Sequence, residues 1–360
     1  MSKTHARVLL TLLLLPTISQ ASDLCSSGQS EAVMYMASRN LTPEGAQKLE
    51  EGLVAKPDDL DSRILLIAYY FRARIRAEGD GGEFEKKRVP HVFWLIENCP
   101  DVQVAGSPEA GIDLAGRNPE DYLRGKQLWL QQVEKYPANA RVLRNAAQYF
   151  SLWDKQLGRQ LLEKALLLNP SDIETISMLA RSYMLERIRV PTSEESSQLA
   201  KKALALWEQA LVGLRSEYRQ FLLEEAAVAA FEAGEIPKAQ QYATELLEGA
   251  TGKSKSWHYG NAIHKGNIIL GRVALRFDDI PAAIRHLHAA GETPGSPQLN
   301  SFGPNMSLAQ ELLEKGETQA VLAYLQACGK FWKSRGEELQ SWIATVQSGG
   351  KPNFGSNLHY

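Results

Sequence analysis

Residues 137–170 read PANARVLRNAAQYFSLWDKQLGRQLLEKALLLNP, and this stretch decides the fold class. After Pro137, the residues Val142, Asn145, Ala146 and Tyr149 recur at helical spacing, and Trp153-Asp154 then makes a turn. Gly158, Leu162 and Ala165 mark a second helix, which Asn169-Pro170 closes. Two helices that share one apolar face cannot bury it alone, so this hairpin needs stacked neighbours. The expected class is all-α.

The same layout returns along the chain. A second unit carries Ile176, Leu179, Ala180 and Tyr183, and is stretched by Pro191 to Glu195, where Ser193 is expected to cap a helix running to Arg215. A third has Leu223, Ala226, Ala227 and Ala230 before the turn Gly234-Glu235, then Ala239 and Ala243. A fourth has Leu270, Gly271 and Ala274 before Asp278-Asp279, then Ala283, Leu287 and Ala290. A fifth has Leu308, Ala309 and Leu312 before Gly316-Glu317, then Val321, Leu325 and Cys328. Small residues at matching places let the two helices of each hairpin approach closely, and the Gly or acidic turn ends one helix and starts the next.

Upstream, Thr42 caps a helix to Lys56 and a second helix runs from Leu60 to Glu78, while Pro119 starts one through Tyr136. Residues 79–118 depart from the pattern. There the sequence predicts a short buried helix over Val89–Asn98, then a Gly- and Pro-rich loop, together an irregular insertion. A last helix is expected near 336–347, and the Gly- and Asn-rich tail 348–360 is expected to be flexible.

These hairpins resemble the tetratricopeptide repeat (TPR) superfamily in degenerate form over most of residues 42–334, most clearly at 139–170, 220–249, 267–290 and 305–328. The stretch from His258 to Met306 is similar to a segment of exported bacterial TPR-like proteins. The resemblance implies an α-solenoid, one repeat domain over 22–347, that presents a concave helical face to a peptide or protein.

The N-terminus predicts export. Lys3 and Arg7 precede an apolar run from Val8 to Leu15, broken by Pro16, and Ser19-Gln20-Ala21 supplies a cleavage site. A signal peptide over 1–21 follows, with Ser22 as mature N-terminus and a periplasmic or secreted destination. No later run approaches the roughly 18 apolar residues of a membrane span, so no transmembrane segment is expected in the mature chain. The formal charge of −2 becomes −4 once Lys3 and Arg7 leave, and neither value implies a nucleic acid partner. Apolar residues at 44% and charged ones at 23% fit a folded domain and argue against disorder. In an oxidising compartment, three cysteines make one disulfide and one free thiol the simplest count. Cys25 with Cys99 is the expected pair, because Cys328 sits mid-helix as a small core residue, although sequence alone leaves the connectivity open.

Two copies of one short motif, His258-Tyr259-Gly260-Asn261 and His264-Lys265-Gly266-Asn267, place two His and two Asn close together. Six residues of helix turn roughly 600°, which leaves the two His about 120° apart, poor geometry for a shared metal. The motif therefore reads either as caps and Gly contacts between helices or as a polar binding surface. His286 and His288 point to different faces of their helix. The loop 291–305, stiffened by Pro and Gly, carries Asn300, Phe302 and Asn305 and reads as a recognition element or as a structural crossover. There is no phosphate-cradling loop, since Gly79-Asp80-Gly81-Gly82 lacks a following Lys-Ser/Thr, and no nucleophile elbow. No cofactor is expected. The functional expectation is a scaffold without catalytic activity that binds a partner on the 220–330 face, through His258, Asn261, His264, Asn267, Asn300, Phe302 and Asn305. The alternative is a hydrolase or metal-dependent enzyme with its site around His258 and His264.

Overall fold

The structure is a computed structural model and describes residues 25, 36–77, 81–112, 119–214, 217–250 and 258–359. The expected leader at 1–21 lies outside them. Among the described residues every regular element is helical, and none is long and apolar enough to cross a membrane. The chain divides into two compact units, residues 1–161 and 162–360, where one repeat domain over 22–347 was expected.

The first unit contains α1 (Pro43–Ala55), α2 (Leu60–Arg76), α3 (Gly82–Asn98), α4 (Pro119–Lys135) and α5 (Ala140–Phe150), and it includes the start of α6 (Lys155–Leu168). Side-chain caps set the first turns. Thr42 Oγ1 accepts from Gly45 N at 3.1 Å, and Asp59 Oδ1 accepts from Ser62 N at 3.2 Å. At α5, Asn139 Oδ1 accepts from the amides of Arg141 and Val142. Gly158 brings α6 against α5: a Cβ there would lie 3.0 Å from the Ala147 carbonyl.

Over its described residues, 81–112, the insertion is more regular than its composition suggests. Helix α3 is long, starts at Gly82 and passes through Pro90, so the expected start at Val89 is corrected. Its anchor is Arg88, fully buried, which holds Glu85 with two nitrogens and donates to the carbonyls of Glu109 and Gly111. Short 3-10 turns at Gln103–Gly106 and Pro108–Ala110 pack on α5 and α2. Asn145 pins the first of them, donating to the carbonyls of Pro100 and Val102 at 2.9 and 2.8 Å. Cys25 and Cys99 are joined, with Cα atoms 5.4 Å apart, whereas Cys328 is a buried free thiol.

The second unit contains α7 (Ile173–Arg187), α8 (Ser193–Leu211), α9 (Glu217–Glu232), α10 (Ile236–Gly249), α11 (Tyr259–Arg276), α12 (Ile280–Gly291), α13 (Pro297–Phe302), α14 (Ser307–Glu314), α15 (Thr318–Cys328) and α16 (Gly336–Gln347). The cap of α8 is Thr192, one residue before the expected Ser193; its hydroxyl accepts from Glu195 N and donates to Glu195 Oε2. Neighbouring helices pack in pairs: α7 with α8, α9 with α10, α11 with α12, and α14 with α15. Three of the pairs share one turn. Gly234, Asp278 and Gly316 all have positive φ, at 80°, 57° and 88°. Just after them, Glu235 N reaches Ala230 O, Asp279 N reaches Ala274 O, and Glu317 N reaches Leu312 O, at 2.9, 3.0 and 3.0 Å. That is the 6→1 bond of a helix end closed by a left-handed residue, and it gives the repeat a backbone signature.

The tail 348–360 was expected to be flexible, yet through residue 359 it is built into the unit. Phe354 is buried against Trp342, with ring centroids 5.1 Å apart, and Asn357 is buried on the 302–306 turn. A Gly- and Asn-rich composition allowed turns here; the aromatic box decided the docking.

Candidate binding surface

The repeated His-x-Gly-Asn motif occupies the first half of α11 and faces inward. Gly260 lets α11 touch the 293–295 backbone, because a Cβ there would lie 2.0 Å from the Gly295 carbonyl. Thr293 Oγ1 donates to Gly260 O at 2.7 Å and seals the contact. Gly266 does the same toward α10, where a Cβ would lie 2.8 Å from the Leu247 side chain.

The polar members serve the same packing. Asn261 donates to Gln298 Oε1 and accepts from Ser296 Oγ, tying α11 to α13. His264 is wholly buried between two backbone groups: Nε2 accepts from Asn305 N at 2.9 Å, so Nδ1 carries the proton and donates to Ala290 O at 3.1 Å. Burial, aided by the nearby Lys265 charge, pushes its pKa down to about 4. Asn267 donates to Ile263 O and accepts from His286 Nδ1 at 2.9 Å. His258 heads α11 with its ring 5.5 Å from that of Phe221. Asn305 Oδ1 accepts from Ser307 N and Oγ, while its carbonyl accepts from Tyr324 OH. Asn300 is exposed, and its Oδ1 accepts from Lys333 N at 3.0 Å. Phe302 is 66% exposed.

Asn261, His264, Asn267 and Asn305 are therefore not displayed to a partner: Asn261 and His264 hold α11 to the loop 291–305, Asn267 ties α11 to α12 through His286, and the Asn305 side chain caps α14 at Ser307. Of the expected surface, Asn300 and Phe302 stay exposed. With Nδ1 protonated and the single lone pair, on Nε2, accepting from Asn305 N, His264 has none left for a metal, and among the described residues no three His, Cys, Asp or Glu are grouped to hold one. The paired glycines set the expected response to substitution. Gly260→Ala should lower the stability of the second unit by about 2 kcal/mol, since a backbone carbonyl must move. Gly52→Ala, in α1 with no atom within 4 Å of the added Cβ, should be neutral or stabilising by up to about 1 kcal/mol. Equal melting shifts in the two variants would refute the close-approach role.

On the first helices of successive hairpins runs a ladder of charges the sequence reading did not find. Arg181 on α7 meets Glu225 on α9 at 3.4 Å, and Glu224 on α9 meets Lys265 on α11 at 2.5 Å. About two turns further along, Arg187 meets Glu232, which also holds Arg272, which in turn holds Glu311 on α14, all at 2.8–2.9 Å. Helix by helix the face alternates basic, acidic, basic, acidic. Burial alone would lower the Lys265 ammonium, but Glu224 and Glu225 hold it above its ordinary value. The face is thus largely neutralised by its own pairs, and the alternation fixes which helix stacks on which. No family model matches this chain, and no curated protein matches it.

In the first unit, the turn between α5 and α6 borders an open cleft of about 280 Å³. Its walls include Phe71, Arg74, Gln148 and Tyr149, with the two 3-10 turns behind them. Leu152 and Trp153 stand at its edge, 66% and 42% exposed. They are held there, because Asp154 accepts from Tyr122 OH and from Lys126 Nζ at 2.7 Å, which pins the turn. Tyr149 OH donates to Tyr122 O at 2.8 Å and makes the wall rigid. The same unit holds a part-buried polar network, with Glu50 accepting from Tyr70 OH and His91 Nε2 while His91 Nδ1 accepts from Arg63. Both of its imidazole nitrogens are thereby spent within the fold.

Proposed function

We propose that this protein is an exported, TPR-like helical-repeat scaffold that binds a peptide or protein partner and has no catalytic role of its own. The observation that carries the reading is the pinned pair Leu152 and Trp153 beside the cleft in the first unit. Single exposed apolar residues are ordinary, but two held side by side on a fixed turn beside Arg74 make a patch, and its Trp153 and Arg74 are residue types that anchor interfaces. The docking place therefore moves from the polar groups of the 220–330 face to this cleft. A partner segment lays an apolar side chain against Leu152 and Trp153 and leaves its polar groups to Gln148 and Arg74.

Peptides selected on the intact protein from a random display library provide the test. They should bind Trp153→Ala at least about tenfold more weakly than wild type, a loss typical of one interface anchor. Selected peptides that bind both forms equally, or a selection that yields none, would sink the reading.

A further inference from the structure

The C-terminal tail is seated in the second unit through one short turn, as a turn-forming peptide sits in a receptor. From Lys351 to His359 its only regular element is the 3-10 turn at Gly355–Leu358. Two side chains are buried, Phe354 and Asn357, three residues apart; Gly355 and Ser356 between them, and Asn353 before them, are exposed. Phe354 enters an aromatic box, edge-on to Trp342, whose ring lies 5.3 Å from that of Trp332. Asn357 uses its side-chain amide to reach the carbonyls of Phe302 and Pro304 at 3.2 and 2.9 Å, and its own carbonyl accepts from Met306 N at 2.8 Å. Leu358 and His359 then line a small pocket with Arg187, Glu232 and Arg272.

The seat is shaped for this occupant. Gly303 has φ +91°, and a Cβ there would lie 2.7 Å from Asn357 Nδ2 and 2.6 Å from the Trp332 indole. Any side chain at 303 would close the place where the amide sits. An empty seat leaves the Met306 N–H, the two carbonyls and the aromatic box to water, so an occupant of the same chemistry is favoured there over solvent. A 3-10 turn has three residues per turn, so the anchors at 354 and 357 share one face and enter the seat together.

We propose that this seat is a docking site for a turn-forming segment of a partner protein carrying an aromatic residue three positions before an Asn, and that the chain's own tail fills it until such a segment displaces it. The site is separate from the cleft beside Trp153, and its test uses neither that residue nor the selected peptides. Tethering gives the tail an effective concentration in the millimolar range, so a partner competes only by added contacts, among which the exposed Phe302 is the nearest apolar surface in sequence.

A labelled peptide of residues 350–360 is the probe, read by fluorescence anisotropy against the full chain. The double variant Phe354→Ala, Asn357→Ala unseats the tail and should bind this peptide at least about tenfold more tightly than wild type does. A peptide with the same two alanines should not bind. A folded variant that fails to bind, or that binds no better than wild type, overturns the proposal. A second arm covers loss of folding: a protease site inserted between Gly349 and Gly350 frees the tail after the chain has folded. Reversible release on dilution, with helical content retained, supports exchange. A cut tail that never leaves, or whose departure unfolds α13 to α16, shows a structural strap and overturns it.

Discussion

Replacing Arg88 with Met should lower the stability of the first unit by about 4 kcal/mol, one of the two largest effects expected for a single substitution in this chain. The guanidinium is fully buried, and all its charge-assisted bonds go to Glu85 or to the carbonyls of Glu109 and Gly111. Removing it leaves the partly buried Glu85 carboxylate with only the more distant Arg74, 3.7 Å away, and two carbonyls without their donor. The effect should be partly relieved by Glu85→Gln in the same chain, because the stranded charge goes while the carbonyls stay unmet. Urea unfolding followed by circular dichroism measures this, with a separate transition for each unit as the frame. A loss below about 1 kcal/mol would mean that α3 does not depend on this anchor.

His264 should make the second unit acid-sensitive. Its folded pKa of about 4 lies below the ordinary value of 6.5, so between those values the unfolded chain binds more protons than the folded one. Its contribution is complete above pH 6.5 and is lost as the pH falls toward 4, a change of about 3 kcal/mol for a group buried this fully. His286, also lowered by burial and by Arg285, adds in the same direction. His264→Gln keeps one donor and one acceptor but does not titrate, and should flatten that part of the profile. His264→Ala removes both bonds and leaves a cavity, costing about 4 kcal/mol at pH 7. Unfolding midpoints of wild type and His264→Gln that fall in parallel from pH 7 to pH 4 would sink the assignment.

The hairpins are legible in the sequence because their signals are local. Thr42, Asp279 and the Gly234, Asp278 and Gly316 turns act within a few residues of where they stand, and small residues such as Gly158, Ala239 and Ala283 mark contacts repeated along the chain. The His-x-Gly-Asn pair was legible as unusual, but a Gly, a His and an Asn look alike whether they face a ligand or a neighbouring loop. The Gly295 carbonyl beside Gly260 separates the two cases, and nothing in the 258–267 stretch announces it. The charge ladder escaped for a related reason: each Arg or Glu, taken alone, reads as a solvated helix face, while its partner lies some forty positions away.

By itself, then, the sequence determined the all-helical class, the positions of most helices, their caps and their turns, since these follow from spacing and from backbone conformation over one or two turns of chain. Tertiary structure alone decided that α3 runs through Pro90, that the contacts divide the chain into two units, that the Asn261 and His264 side chains are mortar between α11 and its loop, and that the tail is seated. Each of those outcomes depends on a buried polar or aromatic group meeting a partner distant in sequence. Burial makes such meetings strong, and a pattern confined to neighbouring residues carries no record of them.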